Sequence, residues 1–288
     1  MDDHMNVDLG NYLRRMRERI QPEEIGLATR GQRRVPGLRR EEVAALAGVS
    51  QPYYTRLEQS QVPHASPSVL LSIARVLELS QDEQDYLLRI GTPAPSRQSR
   101  EPVPDEVSPH TRVLVESLND VAAAVLNHRC DILAWNPLYH RLIAPHLDVA
   151  APGSPETRPN VIKLNFLDEN VRGLYADWSL ESLYNVSYLR YIAAGYRGDP
   201  RFAELVGDLA IQSPEFVRLW TSQHVANCTD GEKALDHPVV GRITLKYQTA
   251  ALQDGHLLKL YFTDPGSPDE AALRLLGMDM EAERPGPP

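Results

Sequence analysis

Lysine is missing from the first 100 residues, where 14 arginines stand against 13 acidic side chains. Nine of those arginines fall within residues 11–40, against three glutamates. The 288-residue chain as a whole carries −9. A basic patch on an acidic protein points to an anionic partner for one part of it only. Cysteine is scarce: Cys130 and Cys228 lie far apart in sequence and match no redox or metal-ligand spacing, which excludes a disulfide framework. No run approaches 18 apolar residues, so no membrane span is expected. The acidic start MDDHMNVDLG lacks the basic-then-apolar order of a secretory signal. A reduced, cytoplasmic protein is expected. Also missing are HExxH, GxSxG and a glycine loop that would cradle phosphate. His128, His140, His146, His224, His237 and His256 are scattered, with no short spacing to one another and an acid that would hold a metal. Neither an enzyme nor a metal site is expected, and no cofactor.

What is present indicates two domains, since the length and the 42% hydrophobic content suffice for two buried cores. Leu9, Tyr12, Leu13, Met16 and Ile20 recur at helical spacing. LRREEVAALAG predicts a second helix with Val43, Ala44 and Leu46 inward and Gly48 as its stop. QPYYTRLEQ predicts a third, with Ser50 as N-cap and Pro52 in the first turn. SPSVLLSIARVLEL and SQDEQDYLLRI predict two more, the last with a Ser80–Glu83 capping box. Residues 1–90 therefore read as an all-α domain. Residues 91–110 hold five prolines and read as a linker. Residues 111–277 change character. AAVLNHRCDILAWN reads as two strands about a turn at Asn127–Asp131, Asn136-Pro137 starts a helix, and helices continue to about residue 226. HPVVGRITLKYQTA and HLLKLYFTD alternate like antiparallel strands. Ser267 to Glu270 begins a last short helix, and residues 278–288 read as a disordered tail. Strands at both ends with helices between them indicate an α+β domain with one antiparallel sheet.

The second and third helices, joined by AGVS, have helix-turn-helix proportions. At 100° per residue, Tyr54 and Leu57 share one side of the third helix, and Pro52, Thr55, Arg56 and Gln59 the other. In that motif the second helix enters the major groove while the first crosses phosphates. Arg39 and Arg40 would then meet backbone oxygens, and Gln59 a phosphate. Gln51 and Arg56 suit base edges, with Thr55 fit for either task. A plain helical hairpin would leave the same arginines as solvated surface. The five-helix set together with the basic stretch favours the DNA reading.

In the second domain the aromatic side chains, Trp135 and Tyr139 among them, fit either a core or an apolar ligand pocket between sheet and helices. Arg129, His140 and Arg190 are candidates to orient a ligand carboxylate.

Arg33 to Gln59, RRVPGLRREEVAALAGVSQPYYTRLEQ, resembles the helix-turn-helix of the XRE (lambda-repressor-like) class, and within it the MmyB-like branch of actinobacterial regulators. ILAWNPLYHRL, NFLDENVRGLYADW, SPEFVRLWTSQHV, HPVVGRITLKY and YFTDPGSPDEAALRLL are similar to that branch as well. The resemblance spans roughly residues 8–277. It implies a transcriptional regulator with a PAS-like second domain that binds a small, fatty-acid-like molecule. One departure is Ser60, where the family usually has Gly, and QVPHAS after it replaces an arginine-containing turn. The expected partners are an operator in double-stranded DNA, a small apolar ligand and a second copy of the chain. An adaptor with a degenerate helix-turn-helix and a constitutive docking domain is the alternative.

Overall fold

Helix α1 (Leu9–Arg19) begins at Asp8, whose carboxylate accepts the backbone N–H groups of Gly10 and Asn11. The computed structural model describes residues 8–27, 37–93, 105–196 and 198–282. Arg30, Arg33 and Arg34 of the basic stretch and residues 94–104 of the proline-rich segment lie outside them, as do residues 283–288 of the expected tail. The chain divides into two compact units.

The first unit takes the described residues of Met1–Glu101 together with Arg190–Ala203 and Arg218–Asn227. Its helices after α1 are α2 (Arg40–Ala47), α3 (Gln51–Glu58), α4 (Pro67–Val76) and α5 (Gln81–Gly91). Three of these starts are capped by serine: Ser50, Ser66 and Ser80 accept backbone N–H groups of α3, α4 and α5, the last in the expected reciprocal box with Glu83. Gly48 ends α2 at φ 70°, a left-handed conformation that glycine adopts without Cβ strain. Leu9, Tyr12, Leu13, Met16 and Ile20 are all buried, against Tyr54, Leu57 and the inner faces of α4 and α5. Polar ties lock α1 to α5. Arg19 reaches both carboxylate oxygens of Glu83 at 2.5 and 3.1 Å, and Tyr12 donates its hydroxyl to the Glu83 carbonyl.

Leu46 corrects the sequence expectation, being half exposed at 50% instead of facing inward. The face that α2 buries is centred on Val43, Ala44 and Ala47, and Leu46 lies about 110° around the helix from it. Gly10 of α1 marks a close backbone approach, because a Cβ there would meet the Glu58 carbonyl oxygen at 2.5 Å. Gly10→Ala is expected to cost about 1–3 kcal/mol, as overpacking against backbone does. Urea unfolding of the full-length variant checks it.

The second unit opens with α6 (Pro109–Ser117), then β1 (Ala122–Leu126), β2 (Ile132–Trp135) and α7 (Pro137–Ile143). Next are α8 (Val161–Leu167), α9 (Glu169–Leu174), α10 (Trp178–Ala193), α11 (Pro200–Gln212) and α12 (Pro214–Thr221). The last three cross into segments grouped with the first unit. β3 (Asp230–His237), β4 (Gly241–Ala251), β5 (Leu257–Phe262) and α13 (Pro268–Ala282) complete the chain. The five strands form one antiparallel sheet in the order β2-β1-β5-β4-β3.

All five residues of β1 are buried, which is why AAAVL reads as an unbroken apolar run and not as an alternation. Val115 of α6 packs with Ala123 and Val125 on one face. Ala122, Ala124 and Leu126 look the other way, toward α7 and the main core of the unit. Asn136 joins these elements. Its side-chain carbonyl accepts from Ala123 and Tyr139, and its amide donates to the carbonyls of Leu118 and Val121. Three elements differ from the sequence reading. β3 was not expected, since DGEKALDH carries charges on both faces near its exposed start. α6 begins inside the segment read as linker, and α13 has 15 residues instead of a few.

Candidate nucleic-acid interface and candidate ligand site

The turn between α2 and α3 is closed by Val49, whose N–H donates to the Ala44 carbonyl. From there α3 shows two distinct sides. Tyr54, Leu57 and Glu58 are buried at 0, 0 and 1% exposure. Pro52, Arg56 and Gln59 are exposed on the opposite side, with Thr55 half-buried between them and Gln51 exposed in the first turn. Arg39 is exposed just before α2 and pairs with Glu41 at 3.3 Å.

Behind α3, Glu58 is the hub of a buried ionic clamp. Arg17 of α1 reaches it with Nε at 2.5 Å and Nη2 at 3.2 Å, and Arg40 of α2 with Nε at 2.7 Å. Arg17 also donates to the Leu38 carbonyl at 2.7 Å. Burial alone would push the Glu58 carboxyl up, but the Arg17 and Arg40 guanidiniums outweigh it and hold the group below the usual carboxylate value. The clamp fixes three helices at one point. It also turns the head of Arg40 toward Glu58, which the sequence did not anticipate. Ser60, where the resemblance implies glycine, adopts φ 56° and donates its hydroxyl to Asp8 at 2.6 Å. That bond helps hold a conformation otherwise unfavourable for a residue with a Cβ.

In the second unit, α7 carries Tyr139 and His140 beside Trp135 at the end of β2. Tyr139 and Trp135 stack at 6.4 Å, and His140 lies 5.1 Å from the indole. The Trp135 Nε1–H donates to the Val149 carbonyl, and His140 Nε2 meets the Leu147 carbonyl at 2.8 Å. These three candidates come together. The other two do not join them. Arg129 lies in the β1–β2 turn with its guanidinium on Asp105 and Asp131. Arg190 is grouped with the first unit, donating to Gln223 and to the Trp220 carbonyl while stacked on the Trp220 ring.

The inner face of the sheet holds charged residues that the sequence reading missed. Lys233 of β3 donates to both oxygens of Glu181 on α10 at 2.7 and 2.8 Å, and its ammonium lies 4.5 Å from the Tyr247 ring centre. Lys259 of β5 lies opposite Ala124 of β1 and Thr249 of β4. Its Nζ is 5.8 Å from the Tyr247 ring centre and 5.5 Å from that of Tyr261. Tyr261 in turn stacks on Tyr139 at 5.8 Å, so the cations adjoin the aromatic pair found from sequence. For Lys259 the signal available was its place in step with Leu257 and Tyr261 on an alternating strand, a costly inward placement without a partner. Lys233 had no such signal, because its strand does not alternate. Among the described residues no group of three His, Cys, Asp or Glu is placed to hold a metal ion. No helix among them is long and apolar enough to cross a membrane.

A helix-turn-helix domain family matches residues 8–87, the span of α1 to α4 and most of α5. The MmyB-like transcription regulator ligand binding domain matches residues 107–276, which contain the whole sheet. A search of curated proteins finds no match. An outward polar helix anchored from behind and an α+β domain with aromatic residues on its inner sheet face correspond to the two halves of a DNA-binding transcription regulator with a ligand-binding domain. With the second match covering more than half of its length, the chain belongs to the family of MmyB-like transcription regulators.

Proposed function

We propose that the protein binds one operator sequence as a homodimer and that an apolar, fatty-acid-like molecule in its second domain sets that affinity. The observation that carries the DNA half is the two-sided α3, with Glu58 clamped behind and Gln51, Thr55 and Arg56 in front. In this reading Gln51 and Arg56 meet base edges, Thr55 and Pro52 line the groove, and Arg39, Arg40 and Gln59 meet phosphates. A single helix-turn-helix covers few base pairs, so two half-sites and a symmetric pair supply the remaining specificity. The ligand half rests on Trp135, Tyr139 and Tyr261, a connected aromatic group on the sheet's inner face. The proline-rich segment at 91–110 is the proposed connection through which domain placement responds.

A ligand shifts the DNA-bound population only by its differential affinity for two conformations. Titrating medium-chain fatty acids into the full-length protein should change operator affinity about 5–150-fold, the usual range of such coupling. The operator is first selected from random-sequence DNA, and fluorescence anisotropy reads the change. A thermal shift without any change in operator affinity would sink the coupling. A monomer in sedimentation that protects one half-site would sink the dimer.

A further inference from the structure

Among the arginines considered for a ligand carboxylate and the lysines of the inner sheet face, Lys259 alone has no hydrogen-bond or ion-pair partner among the described residues. Arg129 is held by Asp105 and Asp131, Arg190 by Gln223, and Lys233 by both oxygens of Glu181. Lys259 sits in the middle of β5, partly buried, on the same side of the sheet as Tyr247 and Tyr261. Its neighbour across β1 is Ala124, a small side chain with no polar group to pair with the ammonium.

We propose that Lys259 is the residue that selects the head group of the proposed ligand, as the counter-ion that favours a carboxylate over an uncharged end. The inference rests on the ligand reading given above and narrows it. Charge decides the valence: Lys233 and Glu181 cancel, and of these three groups Lys259 keeps the one uncancelled positive charge. A single carboxylate neutralises it, whereas a dianionic phosphate would leave excess negative charge away from water. Geometry decides the orientation. The head group meets Lys259 between the Tyr247 and Tyr261 rings, and the chain runs along the alanines of β1 toward Tyr139 and Trp135. Burial, with Lys233 nearby, also pushes the Lys259 ammonium down to about 8. An unpaired charge here is costly in the ligand-free protein, and a bound carboxylate relieves that cost.

The test compares dodecanoate with 1-dodecanol, equal in chain and different in head charge, by calorimetry on the full-length protein. The wild type should bind the acid about 10–100-fold tighter, the worth of a charge-assisted hydrogen bond. Lys259→Met should bind both equally and melt at a higher temperature without ligand, since it removes an unpaired charge. Lys259→Arg should keep a preference for the acid. If Lys259→Met fails to fold, Lys259→Gln makes the same comparison. Equal affinity of the wild type for acid and alcohol, or a preference that survives in Lys259→Met, overturns the inference and leaves an apolar ligand site standing. Binding of neither compound overturns both.

Discussion

Glu58→Gln should destabilise the first unit by about 3–5 kcal/mol, the cost of breaking a buried ion pair by removing one partner. Glutamine keeps the shape of the side chain but not its charge, so Arg17, 6% exposed, is left as an uncompensated buried cation. A domain of this size has about 5–15 kcal/mol in total, so the loss is large. Hydrogen exchange at the amides of α1 and α3 reads it directly. Arg17→Met in the same chain should recover part of the loss, because the stranded charge goes with it. The acid dependence follows from the carboxyl's lowered position. A carboxylate held below its unfolded value contributes stability that is full above that value, near 4.5. The contribution is lost as pH falls through the lower, folded-state value. Wild type and Glu58→Gln should therefore converge in strong acid and separate at neutral pH. A difference under 1 kcal/mol at pH 7 would show that the clamp is not what holds the helices.

Arg56→Ala and Gln51→Ala should each weaken operator binding by about 1–3 kcal/mol, or roughly 5–150-fold, and relax preference at one base pair. Both side chains are exposed on or beside the outward face of α3, and neither belongs to the Glu58 clamp. Truncation should therefore leave the melting temperature within a degree or two. Equal losses on operator and on random DNA would contradict base readout and favour a phosphate role. Arg40→Ala differs in kind. It removes one donor to Glu58 along with an expected phosphate contact, so stability and both kinds of DNA binding should fall together.

The helical half of the fold was legible because its signals are local. Ser50, Ser66 and Ser80 cap, Gly48 stops, and apolar spacing gives the inward face. Leu46 escaped that logic because its orientation depends on where α4 packs, not on its own helix. β3 escaped because Asp230, Gly231 and Glu232 break the alternation that marks a strand. Its pairing with β4 supplies what its side chains do not. For the candidate sites, the outward positions of α3 follow from 100° steps, and the arrangement agrees. The same steps put Glu58 on the side of Tyr54 and Leu57, but nothing local points to Arg17, 41 positions away in sequence. In the sequence Arg129 and Arg190 qualify by charge alone, and only tertiary structure reveals that each already has protein partners. Lys233 and Lys259 show the converse: lysine in a strand reads as surface until the sheet's covered face is known.

The buried clamp has a consequence for ionic strength. Salt screens exposed charges over about 8–10 Å at physiological concentrations and reaches buried pairs far less. Glu58, with Arg17 behind it, is screened little, while Arg56 and Arg39 face the solvent ions. Raising salt should release DNA steeply, as counterion exchange requires, without loosening the angle between α2 and α3. Glu58 thus separates two uses of arginine in the same small domain: a shielded one, Arg17, that sets geometry with little dependence on salt, and exposed ones whose proposed contacts with DNA the solution's ions would tune.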